Sequence, residues 1–223
     1  MPRDRARTRG RPRDRALPAK RREAILCAAT RVFATEGFQG ADLQAVADRL
    51  GIAKGTIYTY FPSKKALFFS AVDRGMQLQS RAVDDAIRTV PEPLARIRRA
   101  IEAYLRFFHE RPELCELIIL ERAEFRERRT PTYFRHRDAN RERWREFYGS
   151  LMRRGVLRRM PVEDLLGVIG NLVYGTMFTN FFAGTCREPE QQADDIIQIL
   201  FRGILTPLGE KQWAADHHAR GNA

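Results

Sequence analysis

The sequence predicts an all-α protein in which a three-helix helix-turn-helix domain precedes a larger helical domain. Apolar residues recur at spacings of three and four along most of the chain, and no stretch shows convincing period-two alternation. Glycines and prolines divide this pattern into helix-length segments. We expect a disordered basic arm at 1–19, the helix-turn-helix domain at 20–68, the larger helical domain at 69–208 and a loose tail at 209–223.

Composition supports a folded protein with an anionic partner. The 223 residues are 43% hydrophobic, which is enough to bury a core, and the formal net charge is +12. The first 22 residues hold ten basic and two acidic side chains, so +8 of that charge lies there. Such a charge predicts binding to a polyanion, either nucleic acid or an anionic membrane.

The cysteines and the N-terminus favour a cytoplasmic protein. Cys27, Cys115 and Cys186 are odd in number and far apart, which excludes a disulfide framework and a four-thiolate zinc site. Residues 1–22 contain one Leu and no Ile, Val or Phe, so they lack the apolar region of a signal peptide.

One segment is long enough to cross a membrane. Residues 165–186 carry no charge over 22 residues, but they include Asn171, Asn180, three Thr and four Gly. These residues weaken membrane insertion, so the segment favours a helix that is buried on all sides. A membrane-associated helical protein remains an alternative.

The helix-turn-helix is predicted from three short segments. A first helix runs from about Pro18 to Glu36 and ends at Gly37. Asp42 is a suitable N-cap for a second helix that stops at Gly51. A third helix covers 54–61, where Ile57 and Phe61 share one face and Pro62 ends it.

Helices account for the rest of the chain. Ser63 caps a long helix that reaches about Thr89. Further helices are expected at 94–109, at 114–125, from Pro131 to Gly155 as one charged helix, from Pro161 to Ala183, and from Pro189 to Leu208.

The third helix shows an unusual set of residues to solvent if Ile57 and Phe61 face inward. The exposed side would then consist of Lys54, Gly55, Thr56, Tyr58, Thr59 and Tyr60. Tyr and Lys donate to phosphates, Thr can contact base edges, and Gly lets the backbone approach a duplex closely. Lys64 and Lys65 begin the next helix, where the helix dipole disfavours cations by about 0.3 to 1 kcal/mol each. A DNA phosphate at that terminus would reverse the effect.

Residues 20–68 resemble the DNA-binding domain of the TetR family of bacterial transcriptional regulators. The matching residues are the run from Ile25 to Gly37-Phe38, Val46-Ala47, Leu50-Gly51-Ile52, Lys54-Gly55-Thr56-Ile57-Tyr58, Tyr60-Phe61, Ser63-Lys64 and Leu67. The resemblance implies DNA contacts by Thr56, Tyr58, Thr59, Tyr60 and Lys64. The family often has Thr or Ser near the start of the second helix, whereas this chain has Ala41-Asp42-Leu43, and Asp42 would repel a phosphate.

The resemblance also implies a function for the larger domain. It would bind a small hydrophobic or amphipathic effector, and its last two helices would pair with a second copy in a homodimer. The chain would then be a repressor that leaves a palindromic double-stranded DNA operator when the effector binds. A DNA-processing enzyme targeted by the helix-turn-helix is the alternative from another class.

Candidate effector-binding residues lie on the inner faces of the predicted helices. They are Tyr104, Phe108, Cys115, Ile119, Arg137, Asn140, Trp144, Tyr148, Tyr174 and Phe178. Aromatic residues at helical spacing can equally be core residues, and the two polar residues can equally end at the solvent edge.

The basic arm supplies two further candidate DNA contacts, Arg9 and Arg11. The segment Arg9-Gly10-Arg11-Pro12 resembles the core of AT-hook peptides, whose arginines enter a narrow minor groove. An arm that adds only nonspecific charge is the alternative.

The sequence contains no catalytic constellation, and we expect no enzymatic activity, cofactor or metal. No Gly-rich phosphate loop occurs, and the four histidines are not at ligand spacing with carboxylates. A metal held by His109 and Cys115, six residues apart, is a remaining alternative.

Overall fold

The computed structural model describes residues 16–184 and 187–203, and within them it contains ten α-helices and no strand. The helices are α1 (Ala16–Gly40), α2 (Leu43–Leu50), α3 (Lys54–Tyr60), α4 (Lys64–Ile87), α5 (Pro93–Glu110), α6 (Pro112–Glu124), α7 (Thr132–Ala139), α8 (Arg141–Arg153), α9 (Val162–Ala183) and α10 (Pro189–Arg202). The predicted all-α class is therefore confirmed. The basic arm, Cys186 and the predicted end of the last helix at Leu208 lie outside the described residues.

The chain forms two compact units. The first unit comprises Met1–Met76 and Glu116–Arg135, and the second comprises Gln77–Cys115 and His136–Ala223. Each unit has its own apolar core.

The core of the first unit is built by α1, α2, α3 and the first half of α4. Local signals set these helices. Gly37, with φ at 71°, breaks the regular path of α1 where the sequence predicts its end. The Asp42 side chain accepts a hydrogen bond from the Gln44 N–H at 2.8 Å and caps α2, and Gly51 ends it in the left-handed conformation at φ 60°. Both predicted caps are confirmed.

Residues 116–135 also belong to the first unit because their side chains enter its aromatic core. The Phe125 ring centroid lies 4.8 Å from that of Phe38 and 4.7 Å from that of Phe69. A buried carboxylate fixes the same segment: Glu121 accepts hydrogen bonds from the Thr132 backbone N–H and hydroxyl, both at 2.9 Å, and from Arg128 at 2.6 Å. All three donors reach Oε1 and offset part of the cost of burying this charge, whereas Oε2 is buried without a hydrogen-bond partner among the described residues.

The core of the second unit is formed by α5, α8, α9 and α10. Its buried members are Ile97, Ile101, Leu105, Tyr148, Leu151, Ala193, Ile196 and Ile197. Arg98 of α5 forms ion pairs with Asp194 and, at 3.3 Å, with Glu190, both on α10.

The charged helix predicted from Pro131 to Gly155 is two helices. α7 ends at Ala139 and α8 begins at Arg141, and Asn140 lies between them. The Asn140 amide donates to the His136 carbonyl at 3.0 Å and to the Ser80 hydroxyl at 3.3 Å, and such side-chain bonds compete with continuous helix. With the helix divided, Arg137 lies exposed beside Asp138, which agrees with the alternative that its side chain ends at the solvent edge.

α9 is the largest departure from expectation in the second unit. Val168 is 57% exposed and Phe182 is 70% exposed, so the prediction of a helix buried on all sides is wrong for the single chain. Among the described residues, α9 is the one helix that is long enough and apolar enough to cross a membrane. A single helix of this kind is weak evidence for a membrane span.

Candidate nucleic-acid interface

α3 is anchored by two side chains and exposes the others. Ile57 is completely buried and Phe61, just after the helix, is 2% exposed. Gly55, Tyr58 and Thr59 are exposed, whereas Lys54, Thr56 and Tyr60 are half-buried. The predicted inward pair is thus confirmed, and the remaining side of the helix is open to a partner.

The turn before α3 is fixed by backbone hydrogen bonds. The Gly51 N–H donates to the Asp48 carbonyl at 3.2 Å, and the Ile52 N–H donates to the Ala47 carbonyl at 3.1 Å. This pattern needs the left-handed conformation at Gly51, which residues with a Cβ adopt at a cost of about 1 to 2 kcal/mol. The glycine therefore determines the angle at which α3 leaves α2.

An ion pair missed by sequence reasoning lies at the start of α3. The Lys54 ammonium is 2.7 Å from the Asp42 carboxylate, the group that also caps α2. The Gln44 N–H and, after it, Lys54 lower the pKa of Asp42, and the hydrogen bond to Asp42 raises the pKa of Lys54. Both groups therefore stay charged at neutral pH, and Asp42 cancels part of the positive charge that Lys54 would offer to a phosphate.

The N-terminus of α4 places two lysines beside α3. The Ser63 hydroxyl accepts from the Ala66 N–H at 3.0 Å, which confirms the predicted cap. The Lys64 ammonium donates to the Gln39 carbonyl at 2.9 Å and lies 5.3 Å from the centre of the Phe38 ring. An ammonium has three donors, so Lys64 keeps two for a phosphate.

Two further cations near this surface were not among the predicted DNA contacts. Lys65 lies 3.6 Å from Glu127 and 5.0 Å from the centre of the Phe125 ring. The Arg22 guanidinium lies 5.0 Å from the centre of the Phe61 ring, on which α3 is anchored. Neither arrangement has a signal in local sequence. Arg9 and Arg11 lie outside the described residues.

The candidate effector residues do not all fall in one unit. Ile119 belongs to the first unit and the other nine belong to the second. In the second unit, Tyr104 contacts Phe108 with ring centroids 5.1 Å apart and donates its hydroxyl to the Met177 sulfur at 3.5 Å. Tyr174 contacts Phe178 with centroids 4.8 Å apart.

Of the remaining candidates, Cys115 and Tyr148 are buried, and Ile119, Asn140 and Trp144 are half-buried. Trp144 and Tyr148 contact each other on α8 with ring centroids 6.0 Å apart, and burial raises the pKa of Tyr148. Burial also raises the pKa of Tyr174, Cys115 acts in the same direction, and the Arg137 charge opposes both. Within the described part of the chain, no three His, Cys, Asp or Glu side chains are grouped so that they could hold a metal ion.

The geometry defines a helix-turn-helix protein. Residues 25–71 match the family model described as bacterial regulatory proteins, tetR family. The HTH-type transcriptional activator FasR of Mycolicibacterium smegmatis is 33% identical over 110 residues, which are 49% of this chain and 50% of FasR. The HTH-type transcriptional repressor BepR of Brucella suis is 34% identical over 116 residues, which are 51% of this chain and 56% of BepR. The predicted resemblance to the TetR family is thus confirmed for residues 25–71.

Solved structures share the fold over most of the chain. The transcriptional regulator FadR of Bacillus subtilis, solved in complex with stearoyl-CoA, superposes on this chain with a TM-score of 0.67 and 17% sequence identity. The superposition covers 82% of this chain and 99% of the FadR chain. At this identity the likeness concerns the fold alone. The sequence likeness to FasR and BepR spans about half the length of each.

Replacing Asp42 by Asn should tighten DNA binding. Asn caps a helix about as well as Asp, so α2 is retained, while Lys54 loses its carboxylate partner. We expect severalfold tighter binding to any duplex at low salt and a log-log salt slope steeper by up to about 0.9, the value of one phosphate contact. Fluorescence anisotropy across a salt series measures both quantities.

The matched control for this variant is Asp138→Asn, which removes an exposed, arginine-paired carboxylate from the second unit. Its affinity should equal that of the wild-type protein. Weaker or unchanged binding by a stably folded Asp42→Asn protein would show that this carboxylate does not face the DNA.

Proposed function

We propose that the protein is a ligand-responsive transcriptional regulator that binds a palindromic operator as a homodimer in the cytoplasm. The observation that carries this proposal is the seven-residue α3, held by Ile57 and Phe61 and offering hydroxyls, a lysine and a glycine on its open side. The family match over residues 25–71 supports it, and it favours a regulator over a DNA-processing enzyme or a membrane-associated protein.

The exposed residues divide into positioning and reading roles. Lys54, Tyr58, Tyr60 and Lys64 would donate to phosphates, which fixes the register of the protein on the duplex. Thr56 and Thr59 would contact base edges, and Gly55 would let α3 approach the groove closely. Arg9 and Arg11 would add contacts in the minor groove or only charge.

We propose repression as the mode of regulation, although the relatives include both modes. BepR is named a repressor and FasR an activator. The helix-turn-helix alone does not distinguish them, because both must bind an operator. Repression follows if the bound protein blocks the promoter and the effector weakens its DNA affinity.

The separation of roles can be tested with an operator recovered by binding selection from random duplexes. The recovered sequence should be palindromic. Tyr60→Phe and Lys64→Ala should weaken binding to all duplexes alike, whereas Thr56→Ala and Thr59→Ala should relax base preference by about 1 to 3 kcal/mol at one position. Quantitative binding to single-base operator variants makes the comparison, and a Lys64→Ala protein with wild-type affinity at every salt concentration would contradict the model.

The effector would be a hydrophobic or amphipathic compound. Support comes from the aromatic pairs of the second unit and from the FadR structure, whose ligand is stearoyl-CoA. α4 contains residues of both units, and we propose it as the element that transmits effector binding to the DNA-binding surface. A tenfold loss of DNA affinity needs about 1.4 kcal/mol of coupling, which is within the usual range.

Stearoyl-CoA is the first probe for this response. We expect it to weaken operator binding at least tenfold, and Tyr174→Ala to reduce the response because it removes the ring next to Phe178. Arg145→Gln, an ion-paired position on α8, is the control and should respond like the wild-type protein. Operator affinity that is independent of stearoyl-CoA would exclude acyl-CoA compounds of this length as effectors.

The homodimer would form through α9 and α10. Their exposed apolar side chains are Val168, Leu172, Phe182, Ile199 and Phe201. A Cβ added at Gly167, Gly170 or Gly175 would meet nothing within 4 Å in the single chain, so α9 has room for a close neighbour. Burying this surface is favourable by about 25 cal/mol per Å², and a second copy offers the matching surface.

Charge on this surface should separate the subunits. Val168 is 57% exposed, so Val168→Glu leaves the core of the single chain intact and acts on association alone. We expect a monomer with wild-type helix content and greatly weakened operator binding, as measured by light scattering, circular dichroism and anisotropy. Leu94→Glu on α5, at a position 39% exposed, is the control and should remain dimeric. A Val168→Glu protein that stays dimeric would place the interface elsewhere.

A further inference from the structure

A cleft of about 430 Å³ lies in the second unit between α4 and α5. Its volume is typical of small-molecule sites. Its lining residues are Leu78, Arg81, Ala82, Asp85, Ala86, Arg99, Glu102, Ala103, Arg106, Phe107, Glu110 and Arg111. None of the ten candidate effector residues is among them, although the lining Phe107 contacts Phe108, with ring centroids 5.4 Å apart.

The cleft has a surplus of positive charge. Four arginines and three acidic residues line it. Two of the acids also bind arginines that do not line the cleft: Asp85 pairs with Arg88, and Glu102 pairs with Arg98 at 3.2 Å. The lining arginines are therefore only partly neutralised.

Glu102 holds two of these arginines in place. Its side chain is 2% exposed, and one of its carboxylate oxygens accepts hydrogen bonds from Arg99 at 2.8 Å and from Arg106 at 2.9 Å. Burial acts to raise the pKa of Glu102, but the hydrogen bonds from Arg106 and Arg99 outweigh it and lower the pKa. Each guanidinium has five N–H donors, so both arginines are oriented by Glu102 and keep donors for a ligand.

The α4 wall of the cleft contributes open space and the positive charge of Arg81. Arg81 of α4 is exposed, and among the described residues its guanidinium has no hydrogen-bond or ion-pair partner. Ala82 and Ala86 on α4 and Ala103 on α5 have the small side chains that leave the cleft open.

We propose that this cleft binds a small anion that carries phosphate groups. Guanidinium groups bind phosphate oxygens through paired N–H donors, and arginines already fixed by a buried carboxylate lose less side-chain entropy when the ligand binds. The ligand is either a free phosphorylated anion or the phosphate-bearing head of a larger amphipathic molecule. The site does not depend on the proposed regulatory function, because its occupation is measured without DNA.

Inorganic pyrophosphate and stearoyl-CoA are the two probes, each titrated calorimetrically into the full chain. Arg81→Gln removes a lining charge without disturbing Glu102, and Arg106→Gln removes one of the oriented guanidiniums. Arg145→Gln is the matched control, because its side chain is 46% exposed and ion-paired on α8, compared with 43% for Arg106. Every variant keeps residues 1–22, so pyrophosphate bound by the basic arm contributes equally to all.

We expect both cleft variants to bind at least one probe about tenfold more weakly than the wild-type protein and the control. Loss of pyrophosphate binding would identify a free anion as the ligand source. Loss of stearoyl-CoA binding without detectable pyrophosphate binding would identify the head of an amphipathic ligand. Arg106→Gln could also act by destabilising Glu102, so the Arg81→Gln variant is the deciding test of the proposal. If Arg81→Gln binds both probes like the Arg145→Gln control, the proposal is overturned.

Discussion

The burial of Ile57 and Phe61 is the constraint on which the proposed DNA-binding surface depends. A seven-residue helix is not stable by itself in water, since nucleation is unfavourable and few hydrogen bonds follow it. α3 therefore exists because these two side chains are removed from solvent in the core of the first unit. Their orientation fixes which residues remain outside, and so the presentation of Tyr58 and Thr59 is a consequence of packing on the other side of the helix.

Sequence could predict the helix-turn-helix because its signals are local. Asp42 and Gly51 delimit the eight residues of α2, Pro62 ends α3, and Ser63 caps α4, so each boundary rests on a few bonds between chain neighbours. The inward pair followed from helical spacing alone. The exposed set followed by subtraction, and the structure exposes three of its six members, Gly55, Tyr58 and Thr59, while the other three are half-buried.

The features that sequence did not predict depend on residues far apart in the chain. Phe125 joins the aromatic core of the first unit through contacts with Phe38 and Phe69, and no periodicity near residue 125 indicates them. The end of α7 before Asn140 rests partly on a bond to Ser80, sixty positions earlier. The exposure of α9 has a different cause. Its apolar composition indicates that the helix is buried, but composition cannot distinguish burial within one chain from burial against a second chain.

The charges of the protein are distributed so that affinity and sequence preference can be set separately. Most of the +12 net charge lies in the first 22 residues, and electrostatic affinity for phosphates grows with the number of cations that can reach them. On the helix-turn-helix, by contrast, Asp42 holds Lys54 at 2.7 Å and a backbone carbonyl holds Lys64 at 2.9 Å. These contacts would limit nonspecific attraction at the surface proposed to read bases, because a cation already bound to protein gains less from a phosphate. In the proposed complex, a duplex that offers the correct base edges to Thr56 and Thr59 would add contacts that other duplexes lack. Discrimination would therefore improve, because the lysines beside the two threonines would add less to the binding of every sequence than lysines without protein partners.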